Sequence, residues 1–160
     1  MIRNASLADA PAICAIYNHY VTGTIVTFEE QPVAAVEMQS RMAAVLERLP
    51  WLVLECGGDV AGYAYASPWK TRIGYRFAVE SSIYLAPAHV GHGLGSALYE
   101  SLLENLRTRN VHCVIGGAAL PNPASGALHE KLGFTKVAHF REIGFKFGRW
   151  IDVGYWQRVF

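Results

Sequence analysis

The sequence predicts one α/β (α+β) domain over residues 1–160, with a mixed central sheet and helices on both of its faces. The first observation is the order of the elements: strand, two helices, three strands, helix, strand, helix and two strands. The second is the run Gly57-Gly58-Asp59 between two apolar segments, because glycines accept the positive φ of a hairpin turn. The third is a leucine repeat at helical spacing after a glycine-rich run at residues 90–96.

Local patterns set the bounds of each element. Asp9 and Pro11 suit the first turn of a helix, and Pro50 ends the next helix because proline lacks the N–H that a helix needs. Pro87 follows the third long strand, and Gly133 ends the last helix. We expect strands at 2–5, 51–56, 60–66, 77–85, 111–119, 134–141 and 145–159, and helices at 9–23, 36–49, 94–106 and 123–132.

Composition and charge narrow the class of function. The formal net charge is +1 and the basic residues are dispersed, so we expect a small-molecule partner and no nucleic acid. No apolar run approaches the ~18 residues of a membrane span, and no signal-peptide core opens the chain, so we expect no membrane contact and a cytoplasmic location. Three scattered cysteines and unclustered histidines fit neither a disulfide framework nor a ligand set, and we expect no metal.

The run Val90-Gly91-His92-Gly93-Leu94-Gly95-Ser96 predicts an anion site. Its glycines remove Cβ atoms, so that consecutive backbone N–H groups can converge on a phosphate at the positive end of the following helix. The run lacks the lysine of a Walker P-loop, and its G-x-G-x-G spacing differs from the dinucleotide pattern. An ordinary glycine turn before a helix is the structural alternative.

A second segment, residues 122–134, begins with Asn122 and ends in Leu132-Gly133-Phe134. Together the two segments resemble the GNAT superfamily of N-acetyltransferases, whose signatures are Q/R-x-x-G-x-G/A and an Asn-led helix ending in Leu-Gly-Phe. Val90 stands where that family usually has Gln or Arg. Five further segments narrow the resemblance to the phosphinothricin and methionine sulfoximine acetyltransferases. They are residues 50–53, 64–70, 80–84, 144–150 and 152–156. It implies a GNAT fold with a mostly antiparallel sheet of about seven strands and about four helices, acetyl-CoA as cosubstrate, and a homodimer.

The resemblance implies that acetyl-CoA lies on the glycine run and on the strand before it. The exposed edge of that strand would pair with the amide-bearing pantetheine arm, and one backbone N–H would polarise the thioester carbonyl. Asn122 is expected to reach the same arm or the phosphates. The expected cofactor-binding residues are Ile83, Tyr84, Leu85, Gly91, His92, Gly93, Leu94, Gly95, Ser96 and Asn122.

Two side chains are candidates for proton transfer. Glu80 lies in an otherwise apolar strand, where desolvation raises the pKa of a carboxyl group, and it matches the family's catalytic glutamate. Its structural alternative is an ion pair with Arg72 or Arg76. His129 occupies the helix position where many GNAT enzymes carry a tyrosine that protonates the CoA thiolate, and the phosphinothricin group also has histidine there. Its alternative is a packed or capping histidine.

An amino-acid acceptor brings a carboxylate, so its site needs cations beside an apolar wall. Lys70 and Arg72 fit this requirement, since a guanidinium binds a carboxylate or phosphinate in a bidentate manner. Phe28, Tyr75 and Val153 match family positions that line the substrate pocket. The alternative is that Lys70 and Arg72 are solvated loop charges.

The leading hypothesis is acetylation of the α-amine of a small amino-acid-like substrate, such as phosphinothricin, methionine sulfoximine or methionine sulfone, by direct attack on the thioester. A second hypothesis keeps the CoA site but acetylates a protein N-terminus, an aminoglycoside or a polyamine. Those cationic acceptors call for an acidic pocket, which Lys70 and Arg72 do not favour. A third is a non-catalytic acyl-CoA-binding module.

Overall fold

A seven-stranded mixed sheet forms the centre of the structure, a computed structural model that describes residues 1–160. The strands are β1 (Ile2–Asn4), β2 (Trp51–Cys56), β3 (Asp59–Pro68), β4 (Ala78–Leu85), β5 (Cys113–Ala119), β6 (Thr135–Lys146) and β7 (Arg149–Val159). The helices are α1 (Ala10–Gly23), α2 (Ala35–Leu46), α3 (Leu94–Arg107) and α4 (Pro123–Lys131). The strand order is β1-β2-β3-β4-β5-β7-β6, and only β4 and β5 are parallel. The predicted fold class is confirmed.

The sheet separates two hydrophobic cores because successive side chains of a strand point to opposite faces. On β2, Trp51 and Val53 pack against α1 and α2, whereas Leu52 and Leu54 pack into the core that contains α3. On β4, Tyr84 joins the first core. Both faces of the sheet are therefore covered by helices, as the element order predicts.

Strands β4 and β5 separate halfway along their length. Their backbone pairing runs from Ala78 and Cys113 to Ser81 and Gly116 and ends there. Both strands continue, to Leu85 and Ala119, without pairing to each other. On its other side β4 stays paired with β3 as far as Leu85, and β5 stays paired with β7 as far as Ala119. A gap therefore opens inside the sheet.

The structure corrects two local expectations. The turn between the last two strands lies at Phe147 and Gly148, so the strand predicted at 145–159 begins at Arg149 instead. The polar residues near position 142 belong to an irregularity within β6, where Glu142 has φ +51°.

Asp9 precedes α1 but makes no side-chain cap, because its carboxylate binds Arg3 and the Ser6 N–H.

The β6–β7 turn yields a stability prediction. Phe147 and Gly148 both have positive φ, +52° and +71°, as a type I′ hairpin turn requires. Gly148→Ala should lower the free energy of unfolding by about 1–2 kcal/mol, because an L side chain is strained in the left-handed region. Urea denaturation measures this effect. Gly23→Ala is the matched control, since Gly23 ends a helix without positive φ and has open space at its Cβ position. An equal loss in both variants would contradict the prediction.

Candidate active site

The gap between β4 and β5 is the main cavity of the molecule, with a volume of about 250 Å³. Residues 82–85 line one side of it and residues 117–119 line the other. Asn122 and, from α4, Ser125 and His129 also line it. The backbone groups of residues 82–85 that face β5 have no strand partner. An extended, amide-bearing chain could therefore pair with this edge as an added strand does.

The glycine run forms the loop that enters α3. Gly91 and Gly93 have φ of +87° and +75°, and Gly93 is the residue that precedes the first turn of the helix. Gly95 lets α3 approach β4, since its Cβ position lies 3.5 Å from a Leu85 methyl group. No side chain caps the first turn of α3, so its backbone N–H groups are available to an anion.

Glu80 lies on the face of β4 that points towards α1. Burial raises the pKa of its carboxyl group above the ordinary value, and the charge of Lys70 opposes this shift. The carboxyl group makes no hydrogen bond or ion pair with Arg72 or Arg76, and its only cationic neighbour of consequence is Lys70. The structure thus does not support the alternative in which Glu80 forms a structural ion pair with an arginine. Glu80 is a partly desolvated carboxylate at the side of the cavity.

His129 approaches the same gap from the opposite face. The imidazole is 4% exposed and stacks on Trp156 with ring centroids 5.4 Å apart. Nδ1 lies 2.7 Å from the Ser125 carbonyl oxygen, so Nδ1 carries the proton that is donated there. Burial lowers the pKa of His129, although the Ser125 carbonyl opposes this shift. The neutral ring therefore directs an unprotonated Nε2 towards β5 at Gly116.

Two adjacent glycines accommodate rings from opposite faces of β5. A Cβ on Gly116 would overlap the His129 ring, and a Cβ on Gly117 would lie 2.9 Å from the Tyr155 ring. Tyr155 also contacts Trp69 and Phe140, with centroid distances of 5.8 and 5.6 Å. Any larger residue at either glycine would displace one of these rings.

The comparison with known proteins agrees with this geometry. Residues 2–154 match the family described as Acetyltransferase (GNAT) domain. The chain belongs to the GNAT acetyltransferases. It is 43% identical over 159 residues to the phosphinothricin N-acetyltransferase of Streptomyces viridochromogenes, covering 99% of this chain and 87% of that protein. It is 39% identical over 160 residues to the L-methionine sulfoximine/L-methionine sulfone acetyltransferase of Salmonella typhimurium, covering 98% and 92%.

A solved structure shows the same similarity. The phosphinothricin acetyltransferase of Sinorhizobium meliloti, crystallised with acetyl-CoA, superposes with a TM-score of 0.96 at 38% identity, covering 99% of this chain and 87% of that chain. The GNAT fold and the resemblance drawn from the two sequence segments are therefore confirmed. This GNAT acetyltransferase is an acyltransferase.

In this GNAT acetyltransferase, the predicted site residues form three groups. Those lining the cavity are Glu80, Ile83, Tyr84, Leu85, Gly95, Asn122 and His129. Those in the loop and first turn beside it are Gly91, His92, Gly93, Leu94 and Ser96. Those that do not line the cavity are Phe28, Lys70, Arg72, Tyr75 and Val153. Asn122 also caps α4, since its side-chain oxygen accepts the Ser125 N–H at 3.0 Å.

Sequence reasoning missed several residues of the site. Lys131 Nζ donates to Ser96 Oγ at 3.0 Å, which brings a cation to the glycine loop. Tyr20 lines the cavity and donates to the Leu85 carbonyl oxygen at 2.6 Å. Burial raises the pKa of the Tyr155 hydroxyl, and the nearby Glu80 carboxylate adds to this shift. The adjacent Gly116-Gly117 pair was the one signal in the sequence for such close packing.

No helix combines the length and the hydrophobicity that a membrane span requires. No group of three or more His, Cys, Asp or Glu side chains is arranged to hold a metal ion. The absence of a metal from the reaction stays a prediction.

Proposed function

We propose that this protein transfers the acetyl group of acetyl-CoA to the α-amine of a small amino-acid-like substrate such as phosphinothricin, methionine sulfoximine or methionine sulfone. The observation that carries the proposal is the gap between β4 and β5, with a glycine loop at its edge and a partly buried carboxylate, Glu80, on one face. The relatives that act on these compounds support the choice of acceptor.

The CoA end of the site consists mostly of backbone. The first turn of α3 and the preceding glycines present N–H groups to the pyrophosphate, and the helix dipole favours the negative charge there. The unpaired edge of residues 82–85 accepts the pantetheine arm, with Asn122 across the gap. Lys131 supplies a cation at the loop, where Val90 offers none.

Glu80 accepts the proton that the acceptor's ammonium group must lose before it can attack. The free amine then forms a C–N bond with the thioester carbonyl carbon and the C–S bond breaks. The second proton that the nitrogen loses is taken up by the departing CoA thiolate, so that the products are the neutral amide and the CoA thiol. A backbone N–H on the edge of residues 83–85 stabilises the oxyanion. Because burial raises the pKa of Glu80, its carboxylate is a stronger base than an exposed glutamate.

The acceptor side of the site combines cations with apolar surface. Lys70 lies close enough to Glu80 to influence its pKa, and its ammonium group stands over the Trp69 ring at 4.8 Å. Arg72 is exposed on the same loop, where it can meet the acceptor's carboxylate or its second anion. By the resemblance, Phe28, Tyr75 and Val153 form the apolar wall. Phe28 and Tyr75 are exposed, whereas Val153 is buried.

His129 plays a different part from the expected proton donor. Its Nδ1–H is already donated to Ser125, and the neutral Nε2 offers a lone pair. We propose that Nε2 accepts a hydrogen bond from an ordered water or an amide N–H in the gap, so that His129 orients groups around the leaving sulfur.

The acceptor assignment is tested by CoA release with the three named compounds, and the base by Glu80→Gln. The wild-type protein should release CoA well above background, and kcat/KM should fall as the pH drops through the raised pKa of Glu80, because the protonated carboxyl cannot accept a proton. Glu80→Gln should lose about 10²–10⁴-fold in kcat while acetyl-CoA affinity is retained.

Glu47→Gln, at an exposed position beyond α2, is the matched control and should keep wild-type kinetics. Full activity in Glu80→Gln would contradict the role of Glu80 as the general base. Activity only with polyamines, aminoglycosides or peptide N-termini would contradict the acceptor class, and no turnover with intact acetyl-CoA binding would favour a binding module.

The role of His129 is separable by the pH dependence of kcat. A general acid would give a limb on which kcat falls as the pH rises through the histidine pKa. His129→Asn should instead lower kcat while the shape of the profile stays the same, since a neutral acceptor does not titrate in this step. His112→Asn, at an exposed histidine, is the control. A basic limb that disappears in His129→Asn would restore the proton-donor role.

We further propose a homodimer, with the edge strand β6 and the adjoining turn at its interface. Large apolar side chains are unusually exposed there, and Trp150, 63% exposed, pairs with Phe145 at 4.9 Å. The exposed set on this hairpin is Val137, Phe140, Ile143, Phe145, Phe147 and Trp150. Such a group of exposed apolar side chains on one hairpin is typical of an interaction surface. A cytoplasmic location also stays a prediction.

Light scattering after gel filtration tests the dimer. The wild-type protein should have twice the chain mass, and Trp150→Glu should have the mass of one chain, because a buried carboxylate in the interface would lack a partner. Val36→Glu changes an equally exposed apolar residue on α2 and should remain dimeric. A monomeric wild-type protein would contradict the proposal.

A further inference from the structure

Lys146, near the end of β6, is a buried lysine that the proposed chemistry does not use. It is 1% exposed, and its ammonium group donates at 2.7 Å to the carbonyl oxygens of Val21 and of Thr27. Val21 lies in the last turn of α1, where carbonyl groups lack helical partners and the helix dipole is negative. Burial of such a cation is costly, which argues for a specific role of its two hydrogen bonds.

Gly144 lies two residues before Lys146 and presents its Cα to the same side of β6. A Cβ at this position would overlap the Phe28 ring. The ring therefore rests directly on the backbone of β6. Phe28 follows Thr27, so one strand holds both the backbone before Phe28 and the ring of Phe28 itself.

The loop around Phe28 is fixed on both sides. Thr27 is buried, and its hydroxyl lies 2.8 Å from the Tyr17 hydroxyl. Glu29 binds Arg41 of α2 through two hydrogen bonds of 2.7 and 3.0 Å. Val26, two residues before Phe28, lines the cavity. Phe28 itself is 38% exposed, so a bound acceptor can touch it.

We propose that Lys146 and Gly144 are positioning residues that hold Phe28 as a rigid wall of the acceptor pocket, and that this wall sets the size of acceptor side chain the enzyme takes. The inference rests on the proposed acceptor. A fixed aromatic wall discriminates by shape, and one methylene group in such a pocket is worth about 10–200-fold in kcat/KM. A mobile wall would also let the acceptor shift in the pocket, and a shift of about 1 Å in the reacting groups lowers the rate by up to about 10²-fold.

The test uses Lys146→Met, Gly144→Ala and Phe28→Ala in steady-state kinetics with amino acids of increasing side-chain length, from alanine to methionine sulfone. The first two variants should lower kcat/KM for the best acceptor about tenfold, mainly through KM, and leave KM for acetyl-CoA within about twofold. Phe28→Ala should shift the preference towards bulkier acceptors. Lys136→Met, which changes an exposed lysine of the same strand, should match the wild-type protein.

A double-mutant comparison isolates the contact itself. Gly144→Ala should have little further effect on acceptor kinetics in the Phe28→Ala background, because the side chain that the new Cβ displaces is gone. Additive losses, or an equal rise in KM for acetyl-CoA, would overturn the proposal. If Lys146→Met does not fold, the Gly144 and Phe28 variants still decide the matter. A wild-type protein inactive on every amino acid would refute the proposed function, whereas unchanged acceptor selectivity in an active enzyme would refute only this inference.

Discussion

Beyond Ser81 and Gly116, strands β4 and β5 no longer share backbone hydrogen bonds, and every element of the candidate site is arranged around their separation. A sheet normally closes such a gap, because backbone N–H and C=O groups that are left unpaired away from water cost free energy. Here the outer neighbours keep β4 and β5 in place as far as their ends. The unpaired edge is thus a preformed site for an extended ligand that carries amides.

The point of divergence is fixed by a small polar cluster. Ser81 Oγ donates to the Ile115 carbonyl oxygen at 3.2 Å and lies 2.6 Å from the Tyr99 hydroxyl, which is left to act as the donor. Tyr99 is a fully buried residue of α3. Through Tyr99, the helix that begins at the glycine loop therefore contacts β4 at the residue where the two strands separate. One hydrogen-bonded cluster thus joins the helix after the glycine loop to the point where the strands separate.

The two faces of the gap carry different chemistry. Glu80 lies on the face of α1 and α2, and its raised pKa suits proton uptake from an ammonium group. His129 lies on the face of α4 as a neutral ring with its donor occupied. Gly116 and Gly117 allow the His129 and Tyr155 rings to contact the β5 backbone from its two faces. No β5 side chain separates either ring from this backbone.

Much of the site could be predicted because its signals are local. The glycine run precedes α3 in direct sequence, and positive φ at Gly91 and Gly93 needs glycine whatever the surroundings. Glu80 stood out as a carboxylate within an apolar strand. The turn at Phe147 was misplaced because Glu142 and its neighbours have turn-like composition, yet they form an irregularity inside β6 that pairing with β7 stabilises.

By itself, the sequence determined the element order, the glycine loop before α3, the candidate carboxylate Glu80 and, through its resemblance, the family, since each depends on short spacings along the chain. Tertiary structure alone decided that Glu80 and His129 face opposite sides of one gap, that burial lowers the pKa of His129, and that Lys146 is buried. The carbonyl partners of Lys146 lie 125 and 119 residues away in sequence, so no local pattern distinguishes it from a solvated lysine. Burial and long-range pairing, which set these charges and positions, arise only when the chain has folded.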